Sequence, residues 1–246
     1  MNRYQLLIEY DGTSFIGWQA QTKGISVQKT IQKTLSKLLK ENIKLYGSGR
    51  TDAGVHALEQ SAHFDYKRKI VDRKKFLKSL NYFLNKKKIS ILKIRLRSNR
   101  FHSRYSAKER SYLYLIRNNL SQSMINYNRE WNIRKKLDID LMKRGAKKLT
   151  GTHDFSTFRA SNCGAKSPIR TIKKIQIIKS KYQIKIRIKS QSFLKTQVRS
   201  IVGSLKYLAE CKWDLKKLSF VLKSKNRKNC APLAPAHGLY LEKVTY

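Results

Sequence analysis

Acidic residues are scarce in this chain of 246 residues: 15 Asp and Glu stand against 55 Lys and Arg, a formal charge of +40. Such an excess disfavours an acidic enzyme of small-molecule metabolism and favours a polyanionic partner, since binding a polyanion offsets the self-repulsion. Lysines on solvated faces can also raise the charge without any ligand. The charge therefore indicates a class of partner and not a function.

Cysteine is scarce too, and long apolar runs are missing. The three cysteines form no C-x-x-C pair, which fits a reducing compartment and argues against a disulfide framework or a zinc site. The five histidines show no metal-ligand spacing with cysteine or carboxylate, so we expect neither a metal nor a cofactor. No stretch approaches the run of about 18 apolar residues that crosses a bilayer, and Met1–Gln5 lacks the apolar region of a signal peptide. The sequence predicts a soluble cytoplasmic protein without membrane contact.

Hydrophobic residues amount to 40% of the chain, enough for a substantial core in one large domain or two ordinary ones. No linker rich in Pro, Gly or Ser separates the chain into parts. We place a soft boundary near Ser103, which gives an N-terminal half, 1–103, and a C-terminal half, 104–246, whose sheets are expected to join.

Hydrophobic periodicity predicts strands and helices in both halves. In the first half, period-two alternation from Tyr4 predicts a strand, and helical periodicity predicts helices over 27–40, with Ser26 as N-cap, and over 72–85. In the second half, the clearest strand is 182–188, where isoleucines alternate with cationic or amide side chains. The remaining predictions are strands at 89–96, 112–116, 171–179 and from 239, and helices near 139–149, 198–208 and 214–223.

This succession favours an α+β fold with helix-backed antiparallel sheet over a parallel doubly wound sheet. We predict two ferredoxin-like (RRM-like) halves whose antiparallel sheets join into one larger sheet, with the helices on one side.

One glycine-rich segment does not follow either periodicity: Gly47-Ser48-Gly49-Arg50-Thr51-Asp52-Ala53-Gly54. It lacks the Gly-Lys-Ser/Thr ending of a phosphate-binding P-loop and the third glycine of a dinucleotide loop. Two interpretations remain open from the residues alone. Asp52 either accepts backbone N–H groups in a tight turn, or acts as a nucleophile or base.

The segment closely resembles the G-x-G-R-T-D-x-G-V-H-A signature of tRNA pseudouridine synthases, and of the synthase A family in particular. Other segments match that family in the same order over nearly the whole chain: Tyr10-Asp11-Gly12-Thr13, Gly17-Trp18-Gln19, Ser26-Val27-Gln28, Phe101-His102-Ser103-Arg104, Gly151-Thr152-His153-Asp154-Phe155, Val198-Arg199-Ser200-Ile201-Val202-Gly203 and Gly238-Leu239-Tyr240-Leu241. The resemblance implies isomerisation of uridine to pseudouridine at positions 38 to 40 of the tRNA anticodon arm. It also implies a two-half antiparallel fold that forms a homodimer.

The resemblance assigns roles to four residues. Asp52 is the catalytic carboxylate and Arg199, in the other half, is its cationic partner, since a nearby guanidinium favours the anion. Tyr112 stacks on the target base, although a core position on its strand is an alternative for it, as a surface position is for Arg199. Arg50 is expected to hold a phosphate of the target or to enter the stack that a flipped base leaves. Lys195-Thr196-Gln197 departs from the family, whose members often carry His and Met there.

A noncatalytic basic RNA-binding protein is the competing function. The charge of +40 would suffice for it, but it leaves the Gly-Arg-Thr-Asp-Ala-Gly segment unexplained.

Overall fold

The structure is a computed structural model that describes residues 1–22 and 24–246. Its strands are β1 (Asn2–Tyr10), β2 (Leu45–Gly47), β3 (His56–Tyr66), β4 (Ile89–Arg97), β5 (Glu109–Asn118), β6 (Trp131–Ile133), β7 (Gly151–Asp154), β8 (Ile169–Ser180), β9 (Gln183–Ser190) and β10 (Leu239–Thr245). Its helices are α1 (Val27–Leu39), α2 (Arg73–Leu84), α3 (Ile139–Leu149), α4 (Gln197–Ala209) and α5 (Leu215–Lys223). These elements confirm the α+β class.

All five predicted helices are confirmed to within about two residues. Their ends follow from capping: the Ser26 side chain accepts a hydrogen bond from the Lys29 N–H at the start of α1, as predicted, and Asp72 does the same for α2. Each helix buries one apolar stripe, such as Val27, Ile31 and Leu35 of α1. None of the helices among the described residues is long and apolar enough to cross a membrane.

The chain divides into two compact units. The first consists of Met1–Lys108 with Tyr240–Tyr246, and the second of Glu109–Leu239.

The first unit contains the βαββαβ succession of a ferredoxin-like fold, from β1 to β4. In its sheet β1 lies between β4 and β3 and is antiparallel to both, while β2 pairs antiparallel with the second part of β3. The last strand, β10, returns to pair in parallel with the beginning of β3, at His56 and Ala57. Strand β3 therefore pairs with β1 on one side and with β2 and β10 on the other.

The second unit has an antiparallel sheet in the order β5, β9, β8, β7, and β6 pairs in parallel with the end of β5. Ile184, Ile186 and Ile188 of β9 are fully buried, while the cationic side chains between them are half-buried, as the alternation predicts. Helix α3 packs against β8, α4 and α5.

Candidate active site

The glycine-rich loop, defined as residues 47–54, links β2 to β3 in the first unit. Asp52 begins a tight turn in which the Val55 N–H donates to the Asp52 carbonyl at 3.2 Å, and Gly54 adopts a positive φ of 75°. The Asp52 side chain is half-buried and that of Arg50 is exposed. The loop thus holds the carboxylate on a fixed turn and presents the arginine to solvent.

A second segment, residues 12–18, lies directly against the turn. The Trp18 N–H donates to the Thr51 carbonyl at 3.1 Å, and the Gly54 N–H donates to the Phe15 carbonyl at 3.3 Å. Gly17 has a φ of 112°, and a Cβ there would stand 2.5 Å from the Thr51 carbonyl oxygen. Only glycine allows this approach, because it has no Cβ and readily takes positive φ.

Buried polar side chains of β3 fix the beginning of the loop. The Gln60 amide donates to the Gly49 carbonyl at 3.0 Å and accepts from the Ser48 hydroxyl at 2.6 Å. The Ser48 N–H donates to the Ser61 carbonyl at 2.8 Å. These three hydrogen bonds fix the beginning of the loop, and with it the backbone that leads to Asp52.

His56, the first residue of β3, connects the loop to the first turn of the chain. Its Nδ1 accepts the Gly12 N–H at 3.0 Å, and its ring stacks on Tyr240 with 4.8 Å between centroids. The Thr51 hydroxyl contacts the Tyr10 hydroxyl at 2.8 Å in a buried environment. The sequence analysis did not identify these supporting residues. The feature that could have revealed them is a run of polar side chains in a strand, β3, whose two faces are both largely buried.

The carboxylate of Asp11 lies near His56 and stabilises the turn at residues 11–13. It accepts hydrogen bonds from the N–H and the hydroxyl of Thr13, at 3.0 and 2.5 Å. Burial acts to raise the pKa of Asp11, but the two hydrogen bonds from Thr13, with smaller electrostatic contributions from His56 and Lys88, outweigh it and lower that pKa. The carboxylate thus stays ionised in its turn.

Tyr112 lies on β5 of the second unit, opposite Ile188 of β9. The residue is 8% exposed, and its ring meets Phe193 edge to face at 5.1 Å. Two residues along, Tyr114 is fully buried and its hydroxyl donates to the Pro235 carbonyl at 2.8 Å. Burial raises the pKa of Tyr114, with Arg199 acting in the opposite direction, so this phenol stays protonated.

Arg199 lies in the first turn of α4 and is held at two points. Its Nε donates to the Ala234 carbonyl at 2.8 Å, and the Ala234 N–H donates back to the Arg199 carbonyl at 3.2 Å. In the segment that departs from the family, Lys195 is exposed, whereas Gln197 is buried and accepts the Leu194 N–H. Arg199 is thus anchored within the second unit.

The four predicted residues are shared between the two units: Arg50 and Asp52 belong to one loop of the first, and Tyr112 and Arg199 to the second. Among the residues that the structure describes, no group of three or more His, Cys, Asp or Glu side chains is arranged to hold a metal ion.

Comparison with known proteins gives consistent results. The family model described as tRNA pseudouridine synthase matches residues 6–106 and 146–246. The chain is 63% identical over 246 residues to tRNA pseudouridine synthase A of Pelagibacter ubique (strain HTCC1062), covering 100% of both chains. It is 42% identical over 247 residues to tRNA pseudouridine synthase A of Methylocella silvestris (strain DSM 15510 / CIP 108128 / LMG 27833 / NCIMB 13906 / BL2), covering 100% of this chain and 99% of the relative.

Among solved structures, a chain of an H/ACA RNP bound to a substrate RNA containing 2'-deoxyuridine is 9% identical, with a TM-score of 0.39. The match covers 83% of this chain and 43% of that one. The family model covers most of the chain, and the two curated relatives align with it over its full length. The chain therefore belongs to the tRNA pseudouridine synthase family.

Proposed function

We propose that this protein is an RNA-modifying isomerase that converts uridine to pseudouridine at positions 38 to 40 of the tRNA anticodon stem-loop, with Asp52 as the catalytic residue. The observation that carries the proposal is the Gly-Arg-Thr-Asp-Ala-Gly loop in a chain of this family. Family membership also favours the enzyme over a noncatalytic RNA-binding protein, the competing interpretation of the charge.

The reaction needs one carboxylate and no redox partner. The C1′–N1 bond of uridine breaks, the uracil turns, a C1′–C5 bond forms, and the proton lost from C5 is balanced by one gained at N1. Asp52 attacks the sugar, attacks the ring or removes the C2′ proton; all three routes use an ionised carboxylate in a fixed position. The hydrogen bonds that hold Thr51 and Gly54 on either side of Asp52 support such preorganisation.

Arg199 is proposed as the cationic partner of the catalytic carboxylate. Its anchoring through Ala234 supports the role, because a guanidinium held at one edge keeps its remaining N–H donors in a fixed orientation. Tyr112 is proposed as the residue that stacks on the target base, with the edge of Phe193 fixing its ring. Arg50, exposed on the loop, is proposed to bind a phosphate of the target or to take the place of the flipped base.

The experiment that tests the function is the mapping of pseudouridine in unmodified tRNA transcripts incubated with the purified protein, by mass spectrometry or primer extension. We expect product at positions 38 to 40, and no product there in a matched transcript that carries cytidine at those positions. Product only elsewhere would contradict the proposed specificity. Binding without any product would favour the noncatalytic alternative.

We further propose that the protein acts in the cytoplasm as a homodimer and that one tRNA contacts both protomers. Each phosphate contact adds about 0.7 to 0.9 to the log–log dependence of affinity on salt. Light scattering should give about twice the chain mass of 28.8 kDa without RNA, and an isolated anticodon stem-loop should show a shallower salt dependence than whole tRNA. A monomeric active enzyme, or equal slopes for the two RNAs, would contradict this assembly.

A further inference from the structure

The segment Phe101–Ser106, here called the aromatic turn, carries one of the matched motifs but no part of the proposed chemistry. It follows β4 in the first unit and presents Tyr105, which is 77% exposed. The neighbouring Tyr46, on β2 directly before the glycine-rich loop, is 44% exposed. Large aromatic side chains this open to solvent at the edge of a catalytic loop require an explanation.

The turn is held rigidly by its own side chains. Nδ1 of His102 accepts the N–H groups of Arg104 and Tyr105, at 3.1 and 3.4 Å. The Ser106 N–H donates to the His102 carbonyl, and the Ser106 hydroxyl accepts the His102 N–H, both at 2.9 Å. These hydrogen bonds hold the backbone that carries Tyr105 in a closed turn before any ligand binds, which lowers the entropic cost of binding.

The turn is also fastened to the sheet by buried contacts. The Ser103 N–H donates to Nδ1 of His63 at 3.2 Å, and the Ser103 hydroxyl donates to the Tyr46 carbonyl at 2.6 Å. From the last strand, the Tyr246 hydroxyl donates to the Ser103 carbonyl at 2.8 Å. Ser103 thus connects the turn to β2, to β3 and to the end of the chain.

Four rings form a continuous series from β2 to the surface. Tyr46 stacks on His63 at 5.1 Å, the His63 ring meets His102 at 4.6 Å, and His102 lies 4.4 Å from Tyr105. Burial lowers the pKa of both histidines, and nearby positive charges add to the effect; the pKa of His63 falls to about 4. Both imidazoles are therefore neutral at neutral pH, and the series ends at the Tyr105 ring, which is largely exposed to solvent.

Positive charge accompanies the open ring. The Arg104 guanidinium lies 5.8 Å from the centre of the Tyr105 ring, and Arg100 is exposed close by in the sequence. The carboxylate of this region, Asp65, is in a two-pronged ion pair with Arg3, with both N–O distances at 2.7 Å. A rigid, exposed aromatic face beside a guanidinium is the combination with which proteins bind unpaired bases of RNA, and the overall charge favours RNA over a protein partner.

We propose that the aromatic turn is a second nucleotide-binding site, separate from the target base's own, in which Tyr105 stacks on an unpaired base of the RNA substrate and Arg104 contacts an adjacent phosphate. This rests on the proposed function, in that the RNA is taken to be the tRNA being modified. Because β2 leads straight into the glycine-rich loop, the bound nucleotide is one of the anticodon loop, near the target uridine.

The test compares Tyr105→Ala with Tyr105→Phe in the full-length protein. An anticodon stem-loop carries the fluorescent base 2-aminopurine at one loop position at a time, and both its quenching and the Kd are measured. We expect quenching at one position with the parent and with Tyr105→Phe, and its loss in Tyr105→Ala together with a Kd weakened by about 5-fold or more.

Tyr82→Ala is the matched control, since Tyr82 is also exposed, at 66%, with the amine of Lys86 5.2 Å from its ring, but lies on α2 outside the series. It should leave quenching and Kd unchanged. Equal Kd and quenching for Tyr105→Ala and the parent would overturn the site. Weakening by Arg104→Ala but not by Tyr105→Ala would reduce it to a phosphate contact and overturn the stacking.

The two proposals can fail separately. If the parent forms no pseudouridine but Tyr105→Ala still loses quenching and affinity, the proposed function fails and the stacking site stands. If the parent forms pseudouridine and Tyr105→Ala has the parent's Kd and KM, the function stands and the stacking site is wrong.

Discussion

The glycine-rich loop and the aromatic turn are both fastened to buried polar side chains of β3, but their backbones are held in different ways. In the glycine-rich loop, Gln60 and Ser61 fix the entry, and backbone groups of a neighbouring segment approach the turn at Asp52. In the aromatic turn, His63 supplies the attachment, and the side chains of His102 and Ser106 close the backbone ring.

The difference suggests a division of tasks. A loop built on close backbone approach places a carboxylate with little freedom, as chemistry requires, but it tolerates no added Cβ at the contact. A turn built on side-chain acceptors leaves a large aromatic ring open to solvent, as binding requires. In such a turn, another side chain with a hydrogen-bond acceptor can replace His102. Substitutions in the glycine-rich loop should therefore reduce turnover or stability, and substitutions in the aromatic turn should reduce the affinity for RNA.

The largest effect is expected for Asp52→Asn, which keeps the size of the side chain and removes its charge. We expect kcat/KM for pseudouridine formation to fall by at least about 1000-fold, with the Kd for tRNA within several-fold of the parent. Single-turnover assays and binding isotherms measure the two quantities. Retained turnover in both Asp52→Asn and Asp52→Ala would show that the glycine-rich loop has only a structural role. The proposed difference in task between this loop and the aromatic turn would then be wrong.

The next effect is on stability, in Gly17→Ala. The new Cβ would stand 2.5 Å from the Thr51 carbonyl oxygen at a φ of 112°, so strain and steric overlap should destabilise the protein by about 3 kcal/mol. Urea unfolding measures this loss. Gly164→Ala is the control, because among the described residues only the chain neighbours of Gly164 have atoms within 4 Å of the added Cβ, and its effect should stay within about 0.5 kcal/mol. Equal stability of the two variants would disprove the close-approach argument.

A smaller effect, on stability and on the affinity for RNA, distinguishes two contributions of His102 to the aromatic turn: its imidazole ring and its hydrogen-bond acceptor. His102→Ala removes the acceptor for the N–H groups of Arg104 and Tyr105, and should cost about 1 kcal/mol of stability and about 3- to 5-fold in the Kd for RNA. In His102→Asn the side-chain oxygen can accept a backbone N–H two residues on, as Asn does in turns, so most of the affinity should return. Titrations of the three proteins with a stem-loop decide the matter: an Asn variant as weak as the Ala variant would mean that the ring itself matters.

The last effect is a pH dependence of stability from His63. Its pKa is lowered from 6.5 to about 4, chiefly by burial and further by the positive charges of His102 and Arg3. Between these two values the unfolded chain binds more protons than the folded one, so stability should fall as pH decreases through this window and flatten below it. The pKa of His102 is lowered too and adds an effect of the same sign.

Urea midpoints at about pH 7.5 and about pH 5 measure the dependence in the parent and in His63→Gln, whose side chain does not titrate. The variant should lose less stability between the two conditions. A loss as large as the parent's would assign the dependence to other groups.

The helices, and strands such as β9, were predictable because their signals are local. The face of α1 that contains Val27, Ile31 and Leu35 repeats with helical period, and Ser26 caps it. The isoleucines of β9 alternate with polar residues because one face is buried. Each pattern reports on a single element facing one core.

Strand β3 was not predictable in this way. Both of its faces are largely buried, yet it carries His56, Gln60, Ser61 and His63, so neither alternation nor an apolar run appears in the sequence. These polar groups can be buried because each has a hydrogen-bond partner distant along the chain: Gly12, Gly49, Tyr246 and Ser103. For the site, the motifs named the candidate residues but not the side chains that hold them.

The sequence by itself determined the class of partner, the positions of the helices and, through the motifs it shares with its family, the candidate residues Asp52, Arg50, Tyr112 and Arg199. Charge, periodicity and motif can each be read along the chain without reference to remote residues. Only the tertiary structure decided that the last strand returns to pair with β3, that Gly17 must pass beside Thr51, and that four rings line up to Tyr105. Those features depend on pairings between residues tens to hundreds of positions apart, whose partners a local pattern does not encode.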